Sequence, residues 1–388
     1  MQKRSILFLT NAYPDFPSSY RGIFIQKMAV LIKKEGYKVF VVTPKIYRKS
    51  PYYEKKDGIK VYRFPFFARD TLLIEYKNIP YVKMVLYYLM GFLWVFYVVL
   101  RNRCSMIHAH WAIPTGLIGT WVGSILRKPL IITTHGSDLR MALERPEFIR
   151  KIFIYVCKHA AHINCVSNIQ KKDLEQLGIT VEKISVIPMG VDEAFLETGK
   201  DRKIELNKGS FIIFSNRNLL SLYNVSLLVR AIPYVLKEEP KTKFIIAGDG
   251  SEKENLENKV KQLNVSSSVQ FLGRVPHQEM PNLLGQSDIY VSTSLHDGTS
   301  VSLLEALASG AFPVVTDIPS NREWIDNGHN GFLVPEENEN LLARKILDAM
   351  HNHALLWDAH EKNRKLVEQK ATWGKNIKKV TGLYQSLL

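Results

Sequence analysis

The stretch DIYVSTSLHDGTSVSLLEALASGAFPVVTD, residues 288–317, places two apolar runs on either side of a helical segment. DIYVSTS and FPVVTD predict buried strands. The segment between them predicts a helix that begins near Ser300, with a turn and N-cap formed by Gly298, Thr299 and Ser300. A strand, a helix and a second strand in this order are typical of a parallel α/β sheet. Glu305 lies in the apolar part of the helix, where a charged side chain is costly unless it is paired or holds a ligand.

The same alternation runs outward from this unit through both halves of the chain. The further predicted strands and helices are SILFLT (5–10), IFIQKMAVLIKKEG (23–36), YKVFVVTP (37–44), MIHAHW (106–111), GLIGTWVGSIL (116–126), PLIITTHG (129–136), HINCVS (162–167), SFIIFSNR (210–217), a helix at 225–237, KFIIAGDG (243–250) and SVQFLGRV (268–275). The polar run at 189–209 predicts a loop.

We therefore predict an α/β fold with two doubly wound domains. Residues 1–194 form the first domain, 195–208 the linker and 209–372 the second domain. Residues 373–388 are expected to form a C-terminal helix, for which packing back on the first domain is one option.

The net charge of +15 is concentrated in the first half of the chain. Residues 1–190 carry 29 Lys and Arg against 12 Asp and Glu, whereas residues 191–388 carry 23 against 25. A basic surface of this kind favours nucleic acid, an anionic membrane, or no partner beyond solvent. No nucleic-acid-binding motif accompanies the charge. We therefore expect an anionic membrane surface as a partner, and no nucleic acid.

The segment MVLYYLMGFLWVFYVVL, residues 84–100, is uncharged and is flanked by basic residues. A helix that spans a membrane needs about 20 apolar residues, and a span here would separate strands that belong to one sheet. The segment is therefore expected to be a buried helix, an in-plane helix with aromatic rings at the membrane interface, or both.

The cysteines and the start of the chain indicate the compartment. Cys104, Cys157 and Cys165 have no CxxC spacing, so neither a disulfide framework nor a zinc site is expected. MQKRSILFLTNAYP predicts a strand and its loop rather than a leader sequence. We expect a cytoplasmic protein, peripheral on the inner face of the cell membrane.

No Asp-x-Asp motif follows a strand in a suitable context, so no metal is expected. No G-x-G-x-x-G follows the first strand, which argues against a dinucleotide-dependent dehydrogenase.

Glu305 and the start of its helix predict a site for an anionic ligand that carries hydroxyl groups. The free N–H groups of Ser300, Val301 and Ser302 would form an anion site at the end of a strand. Glu305, more than one turn further along, could reach past phosphates to vicinal hydroxyls such as those of a ribose. The alternative is a buried glutamate paired with a nearby Lys or Arg.

The segment DGTSVSLLEALASGAFPVVTDIPSNREWIDNGHNGFLVP (297–335) resembles the nucleotide-sugar segment of the retaining glycosyltransferases of family 4. The resemblance extends over nearly the whole chain. The other similar stretches are NAYPDFPSSYRGIFIQ, IHAHWAIPTGLIG, THGSDL, VSNIQKKDLEQLGITVEKISVIPMGVD, FIIAGDGSEKENLE and VQFLGRVPHQEMPNLLGQSDIYVSTS. Their order and spacing imply the GT-B fold of that family, in which two Rossmann-like domains face a central cleft.

In the second domain the resemblance implies a set of donor-binding residues. Glu305 would bind the ribose hydroxyls and Arg217 the diphosphate. The other donor-binding positions would be Gly273, Arg274 and Val275 at the base, and Thr299, Ser300, Val301 and Ser302 at the sugar or diphosphate.

Two donor-site positions depart from the family pattern. Asp297 stands where the family has a glutamate that contacts the donor sugar, and its side chain is one methylene shorter. Tyr223 stands where the family has a lysine. Part of the positive charge at the leaving group is therefore missing or comes from another residue, such as Arg21 or Arg274.

In the first domain the resemblance implies that Gly22 lets a loop approach the donor phosphates and that His135 lies beside the donor sugar. His135 could instead cap the helix that follows it. Asp138 and His110 are the acceptor-site candidates, and His110 shares one side of a strand with His108. The catalytic candidates of the whole chain are His135, Arg217 and Asp297.

These residues imply an enzyme that moves a sugar from a nucleotide diphosphate sugar, UDP- or GDP-linked, to a hydroxyl of a lipid-linked or cell-surface glycan. The anomeric configuration would be retained, and no metal or other cofactor would be required. Two alternatives stay open. One is a GT-B nucleotide-sugar epimerase. The other is a non-catalytic or weakly active nucleotide-sugar-binding protein, which the departures at Asp297 and Tyr223 favour.

Overall fold

The computed structural model describes residues 4–16, 19, 21–66, 70–71, 80–201 and 210–388. The chain forms two compact units. The first comprises Met1–Pro188 together with Asn376–Leu388, and the second comprises Met189–Lys375. Each unit is built around one sheet.

The first unit contains an eight-stranded sheet. Its elements are β1 (Ser5–Thr10), α1 (Ile23–Lys34), β2 (Lys38–Lys45), β3 (Tyr53–Lys56), β4 (Ile59–Pro65), α2 (Tyr81–Arg101), β5 (Met106–His110), α3 (Leu117–Leu126), β6 (Leu130–Thr134), α4 (Ser137–Glu144), α5 (Glu147–His159), β7 (His162–Cys165), α6 (Asn168–Gln176) and β8 (Ile184–Val186). The strand order is β3-β4-β2-β1-β5-β6-β7-β8. β3 and β4 are antiparallel and the other neighbours are parallel.

The second unit contains a six-stranded parallel sheet. Its elements, with the helix that ends the chain, are α7 (Glu193–Asp201), β9 (Ile212–Ser215), α8 (Val225–Glu238), β10 (Lys243–Ala247), α9 (Lys253–Gln262), β11 (Val269–Gly273), α10 (Met280–Gln286), β12 (Ile289–Ser292), α11 (Val301–Ala308), β13 (Phe312–Thr316), α12 (Pro319–Arg322), β14 (Phe332–Val334), α13 (Glu339–His351), α14 (His353–Lys370) and α15 (Trp373–Leu387). The order β11-β10-β9-β12-β13-β14 is that of a doubly wound fold and reverses between β9 and β12.

Both faces of the second sheet are covered. Ile213 and Ile289 belong to one buried apolar cluster, whereas their chain neighbours Phe214 and Tyr290 belong to another. Since successive side chains of a strand point to opposite faces, the two clusters lie on opposite sides of the sheet. Burial on both faces explains why these strands read as continuous apolar runs in the sequence.

Helix α2 contains the predicted 84–100 segment and is apolar on two sides. It is long and apolar enough to cross a membrane by length and composition. One side is buried, with Tyr87 packed edge-on against Phe64 and Phe66 of the sheet region. The opposite side, termed the α2 outer face, is at least 48% exposed and consists of Tyr81, Val82, Val85, Leu89, Leu93, Tyr97 and Leu100. The helix therefore contributes to the core and leaves an apolar stripe in solvent.

The polar run at 189–209 differs from its prediction as a loop. Residues Glu193–Asp201 form α7, and the division between the units falls after Pro188, before the predicted linker at 195–208. Within α7, Phe195 is fully buried and Leu196 is partly buried against a cluster that also contains Leu307. Most residues of this short helix are polar, so its hydrophobic periodicity is too weak to predict it from the sequence. Residues 202–209 of the predicted linker lie outside the described part of the chain.

The last helix, α15, returns to the first unit from Asn376 onward. Asn376 Nδ2 donates to the carbonyl of Pro188 at 2.9 Å. Tyr384 is fully buried, and its hydroxyl lies 2.6 Å from His108 Nδ1 in β5. The helix therefore completes the core of the unit that begins the chain.

Candidate active site

The candidate site of the second unit lies at the carboxyl ends of β9 and β12, where the strand order reverses. Ligands of doubly wound sheets bind at this point, because the loops that follow the two strands leave toward opposite sides. Arg217 follows β9, and Asp297 and Ser300 lie between β12 and α11. The fold thus joins Arg217 to two residues that are 80 and 83 positions away in the sequence.

Arg217 is nearly buried, and its two terminal nitrogens are both engaged. Nη1 donates to Ser300 Oγ and Nη2 donates to Asp297 Oδ2, each at 2.7 Å. Burial alone would lower the pKa of the guanidinium, but Asp297 and the neighbouring tyrosines raise it overall. The side chain is therefore a permanently charged group held in one orientation.

Asp297 is the counter-ion of Arg217 in this structure. Its side chain is 17% exposed and forms the ion pair at the edge of the site. A diphosphate would bring more negative charge to the same guanidinium and would compete with the Asp297 carboxylate. The predicted contact between Asp297 and a donor sugar stays a prediction.

Tyr223 does not supply the positive charge of the family lysine. Its ring instead contacts the guanidinium of Arg217. The guanidinium carbon of Arg217 lies 4.4 Å from the centroid of the Tyr223 ring, which is a cation–π geometry. The two residues considered as substitutes for the family lysine are themselves paired. Arg21 is bonded to Asp15 at 2.6 Å, and Arg274 is bonded to Asp249 at 3.0 Å.

Helix α11 begins as predicted, with Ser300 as its N-cap. Ser300 Oγ accepts a hydrogen bond from the N–H of Leu303 at 3.3 Å. The same oxygen accepts from Arg217, so the positive end of the helix and the guanidinium lie together. The neighbouring candidates Thr299, Val301 and Ser302 are partly exposed around this helix end.

Glu305 is 5% exposed, and its hydrogen-bond partner is His277, which is not among the predicted site residues. His277 Nε2 lies 2.7 Å from Glu305 Oε1. Burial raises the pKa of the Glu305 carboxyl, and the bond to His277 opposes that rise. The pairing is thus with a histidine, not with the Lys or Arg of the alternative hypothesis. The feature of the sequence that could have indicated His277 is its position just after the predicted strand 268–275.

The predicted base-binding residues lie at the end of β11 and directly after it. Gly273 has a φ of 65°, and its carbonyl accepts from the N–H of Gly248 at 2.7 Å. The Val275 side chain is buried in the core, so only its backbone can face a ligand. Arg274 is 60% exposed.

In the first unit, the strand order reverses between β1 and β5, and histidines gather beside this point. His110 ends β5 and His135 follows β6, and their Nδ1 and Nε2 atoms are 3.2 Å apart. The His135 ring also lies against Trp111, with 4.5 Å between centroids. Burial, assisted by His108, lowers the pKa of His135 to about 3, so the ring is neutral. The side chain of His135 bonds His110 and does not cap α4.

Gly22 lies where the chain doubles back on itself. Its φ is 68°, and a Cβ atom there would lie 2.1 Å from the carbonyl oxygen of Ala12. Any side chain would therefore push apart the two ends of the loop after β1. The predicted approach of this loop to donor phosphates stays a prediction.

The two acceptor candidates are both buried. His110 has no exposed surface, and Asp138 is 1% exposed. Asp138 accepts from the N–H groups of Ala112 at 2.7 Å and His135 at 3.2 Å. Burial raises the pKa of Asp138 to about 6, and these backbone bonds oppose the rise. In this structure Asp138 ties two loops together, and neither side chain offers a surface to an acceptor.

The part of the chain that the structure describes contains no group of three His, Cys, Asp or Glu side chains placed to hold a metal ion. The three cysteines are buried, and none of them forms a disulfide bond within the residues that the structure describes.

His108 is expected to make the protein sensitive to acid. Its ring is 1% exposed and bonds Tyr384 and Thr133, and burial lowers its pKa from 6.5 to about 3. Below its ordinary pKa the unfolded chain binds a proton that the folded protein does not. The free energy of unfolding is therefore highest above the ordinary histidine pKa and decreases as the pH falls. The contribution of His108 to this decrease is about 2 kcal/mol near pH 5.

Urea unfolding at about pH 7.5 and about pH 5 measures this loss. His108→Gln removes the titrating group, so the difference between the two pH values should shrink by about the same 2 kcal/mol. If the variant loses as much stability between the two pH values as the wild type, His108 does not cause the acid sensitivity.

Family comparisons match both halves of the chain. The model described as Glycosyltransferase Family 4 matches residues 22–195, and the model described as Glycosyl transferases group 1 matches residues 197–373. The chain belongs to these glycosyltransferases. The resemblance stated from the motifs is thereby confirmed at the level of the family and of the enzyme class.

This glycosyltransferase is 26% identical to alpha-monoglucosyldiacylglycerol synthase of Streptococcus pneumoniae, over 84% of its chain and 74% of the relative. It is 25% identical to the putative teichuronic acid biosynthesis glycosyltransferase TuaC of Bacillus subtilis, over 98% of each chain. The crystal structure of Anabaena HepE in complex with UDP-glucose matches with a TM-score of 0.74 and 16% identity, over 99% of this chain and 100% of that chain. The predicted GT-B fold of two α/β domains is confirmed.

Proposed function

We propose that this glycosyltransferase moves a sugar from a UDP- or GDP-linked donor to a hydroxyl of a lipid-linked or cell-surface glycan, with retention of the anomeric configuration and without a metal. The observation that carries the proposal is the fixed cation of Arg217 at the start of α11. Ser300, Asp297 and Tyr223 hold it where the strand order reverses. A diphosphate placed there meets a guanidinium and a helix N-terminus together.

In the proposed reaction, the bond between the anomeric carbon and the diphosphate oxygen breaks, and the acceptor oxygen bonds to the same face of that carbon. The transition state resembles an oxocarbenium ion. Negative charge gathers on the departing diphosphate, where Arg217 and the N–H groups at the start of α11 stabilise it. The departing phosphate takes the proton of the acceptor hydroxyl, so no covalent glycosyl–enzyme intermediate forms.

The donor is supported by two features. The solved structure of HepE is named as a complex with UDP-glucose, and its fold is shared over 99% of this chain. Glu305 offers a buried carboxylate for the ribose hydroxyls, just over one turn beyond the helix start at Val301. By the family resemblance, His135 is assigned to the donor sugar as a neutral hydrogen-bonding group.

A membrane-associated acceptor is supported by the α2 outer face and by the charge of the first half of the chain. The stripe is apolar along the whole helix and belongs to the unit that carries the excess of Lys and Arg. Apolar surface beside positive charge is complementary to an anionic bilayer. One relative is named as an alpha-monoglucosyldiacylglycerol synthase, a name that refers to a glycolipid and supports a lipid acceptor for this protein. We propose that the protein is peripheral on a membrane.

Replacing apolar side chains of the α2 outer face is expected to weaken liposome binding strongly. The triple variant Val82→Ser, Val85→Ser, Leu89→Ser replaces side chains that are 78%, 66% and 50% exposed. Their partial burial in lipid should contribute about 3 kcal/mol, so binding to anionic vesicles should weaken by roughly 100-fold. Co-sedimentation with anionic and with neutral vesicles measures the effect.

Trp357→Ser is the matched control, because Trp357 is a 58% exposed apolar residue of the second unit. It should bind vesicles as the wild type does. Wild-type protein that ignores anionic vesicles at low salt would contradict the membrane proposal. A triple variant that changes only the oligomeric state would instead identify the stripe as a contact between copies of the chain.

The proposed function is tested by incubating the protein with α-linked UDP-, GDP- and ADP-sugars and membrane lipid extract, followed by NMR of the purified product. An α-linked product is expected. A β-linked product would overturn retention. Sugar epimerised in the absence of acceptor would favour the epimerase, and nucleotide binding without any turnover would favour a non-catalytic protein.

A further inference from the structure

The carboxylate of Glu305 is held at one of its two oxygens. Oε1 accepts from His277 Nε2 at 2.7 Å, and the Glu305 side chain is 6% exposed. Oε2 accepts no hydrogen bond from the residues that the structure describes. A carboxylate oxygen has two lone pairs and can accept from a ligand hydroxyl. The geometry therefore fixes the group while leaving an acceptor available.

His277 is itself confined from other elements. It lies in the turn before α10, its Nδ1 is 4.0 Å from Asp192 Oδ2, and its ring is 5.4 Å from the ring of Phe195 in α7. The imidazole thus stands between two carboxylates and beside an aromatic ring. These contacts cover part of the ring, and 32% of the His277 side chain is exposed.

The direction of this hydrogen bond depends on which group carries the proton. When Glu305 is ionised, its carboxylate can only accept, so His277 Nε2 then carries the proton and donates. A hydrogen bond to the charged form favours ionisation and opposes the effect of burial. Without His277, the buried Glu305 carboxylate would lose its only hydrogen-bond partner among the described residues. Burial would then favour the protonated form, which donates through its O–H.

We propose that His277 is a positioning residue that keeps Glu305 ionised and oriented as the acceptor for the ribose hydroxyls of the donor nucleotide. The inference rests on the proposed function, because it takes the ligand of Glu305 to be a nucleotide. It gives a role to a residue outside the motif around Glu305. Asp192 is the outer partner that limits the orientation of the imidazole.

A competing arrangement is that His277 occupies the place of the ribose and leaves when the nucleotide binds. The two arrangements predict opposite changes in nucleotide affinity when His277 is replaced. Loss of a positioning histidine weakens nucleotide binding and removes the preference for ribose over deoxyribose. Loss of a competing histidine strengthens nucleotide binding.

The test is isothermal titration of UDP, GDP and ADP and of their 2′-deoxy forms into wild type, His277→Phe and His277→Gln. Wild type should bind the ribose form of its nucleotide about tenfold or more tightly than the deoxy form, as expected for one hydrogen bond to a charged group. His277→Phe should bring this ratio close to one. His277→Gln, whose side-chain amide can still donate to Glu305, should retain part of the preference.

The ratio of the two affinities distinguishes a positioning role from a loss of fold. Loss of fold would weaken the binding of ribose and deoxyribose nucleotides equally. A His277→Phe variant that keeps the wild-type ratio, or that binds more tightly than wild type, would overturn the inference. If that variant does not fold, His277→Asn gives the same comparison, since its amide is too short to reach Glu305. Wild type that binds none of the nucleotides would overturn the proposed function itself, and the inference with it.

Discussion

Glu305→Ala is expected to abolish the thermal stabilisation of this protein by its nucleotide. A ligand present at about 100 times its dissociation constant stabilises the folded state by about 2.7 kcal/mol. For units of this size, that corresponds to a rise of roughly 5 °C or more in the melting temperature. Removal of the buried carboxylate deletes the acceptor for the ribose hydroxyls. Differential scanning fluorimetry with UDP, GDP and ADP measures the shift for wild type and variant.

Each protein is compared with its own ligand-free form, so a lower starting stability of the variant does not affect the result. Glu305→Gln keeps the shape and an acceptor for His277 but removes the charge, and should give an intermediate shift. Glu254→Ala, on an exposed position of α9, is the matched control and should behave as wild type. A nucleotide shift of wild-type size in Glu305→Ala would exclude Glu305 from the nucleotide site.

Arg217→Ala is expected to lower kcat by about 100- to 1000-fold, the loss typical of removing one preorganised group that stabilises developing charge. The leaving diphosphate would keep the helix N-terminus but lose its buried cation. Arg217→Lys should recover only part of the activity, because one ammonium group cannot bond Ser300 and a phosphate with the planar geometry of a guanidinium. The measurement is the initial rate of sugar transfer at saturating donor.

Tyr223 provides the control for the orientation of Arg217. Tyr223→Phe keeps the ring under the guanidinium and should retain most of the activity. Tyr223→Ala removes the ring and should lower kcat by about fivefold, since a cation–π contact contributes about 1 kcal/mol. If Arg217→Ala keeps a tenth or more of the wild-type rate, Arg217 is not the main group that stabilises the diphosphate.

The parallel strands can be predicted from the sequence because burial on both faces makes them continuous apolar runs. β1, β2, β5 and β6, for example, lie where SILFLT, YKVFVVTP, MIHAHW and PLIITTHG predict them. The hairpin of β3 and β4 is harder to predict, because YEKKDGIKVYR alternates polar and apolar residues near the edge of the sheet. Its turn at Asp57 and Gly58, with φ of 53° and 72°, is the local signal for it.

The partners of the site residues could not be predicted, because they depend on contacts between distant segments. Nothing local to Arg217 indicates that Asp297 neutralises it or that Tyr223 supports it. The burial of His110 and Asp138 also follows from packing. His110 ends β5, and Asp138 lies in the first turn of α4 after β6. At such positions the sequence alone does not distinguish a side chain that lines a site from a buried one.

The sequence by itself determined the two α/β units, the helix that begins after Ser300 and the position of Glu305 within it. These features depend on hydrophobic periodicity and capping, which act between residues close together in the chain. Only the tertiary structure decided that His277 holds Glu305, that Arg217 is fixed by Asp297 and Tyr223, and that α15 returns to His108 through Tyr384. Each of these contacts joins side chains from separate elements, and strand order and helix packing place them within reach of one another.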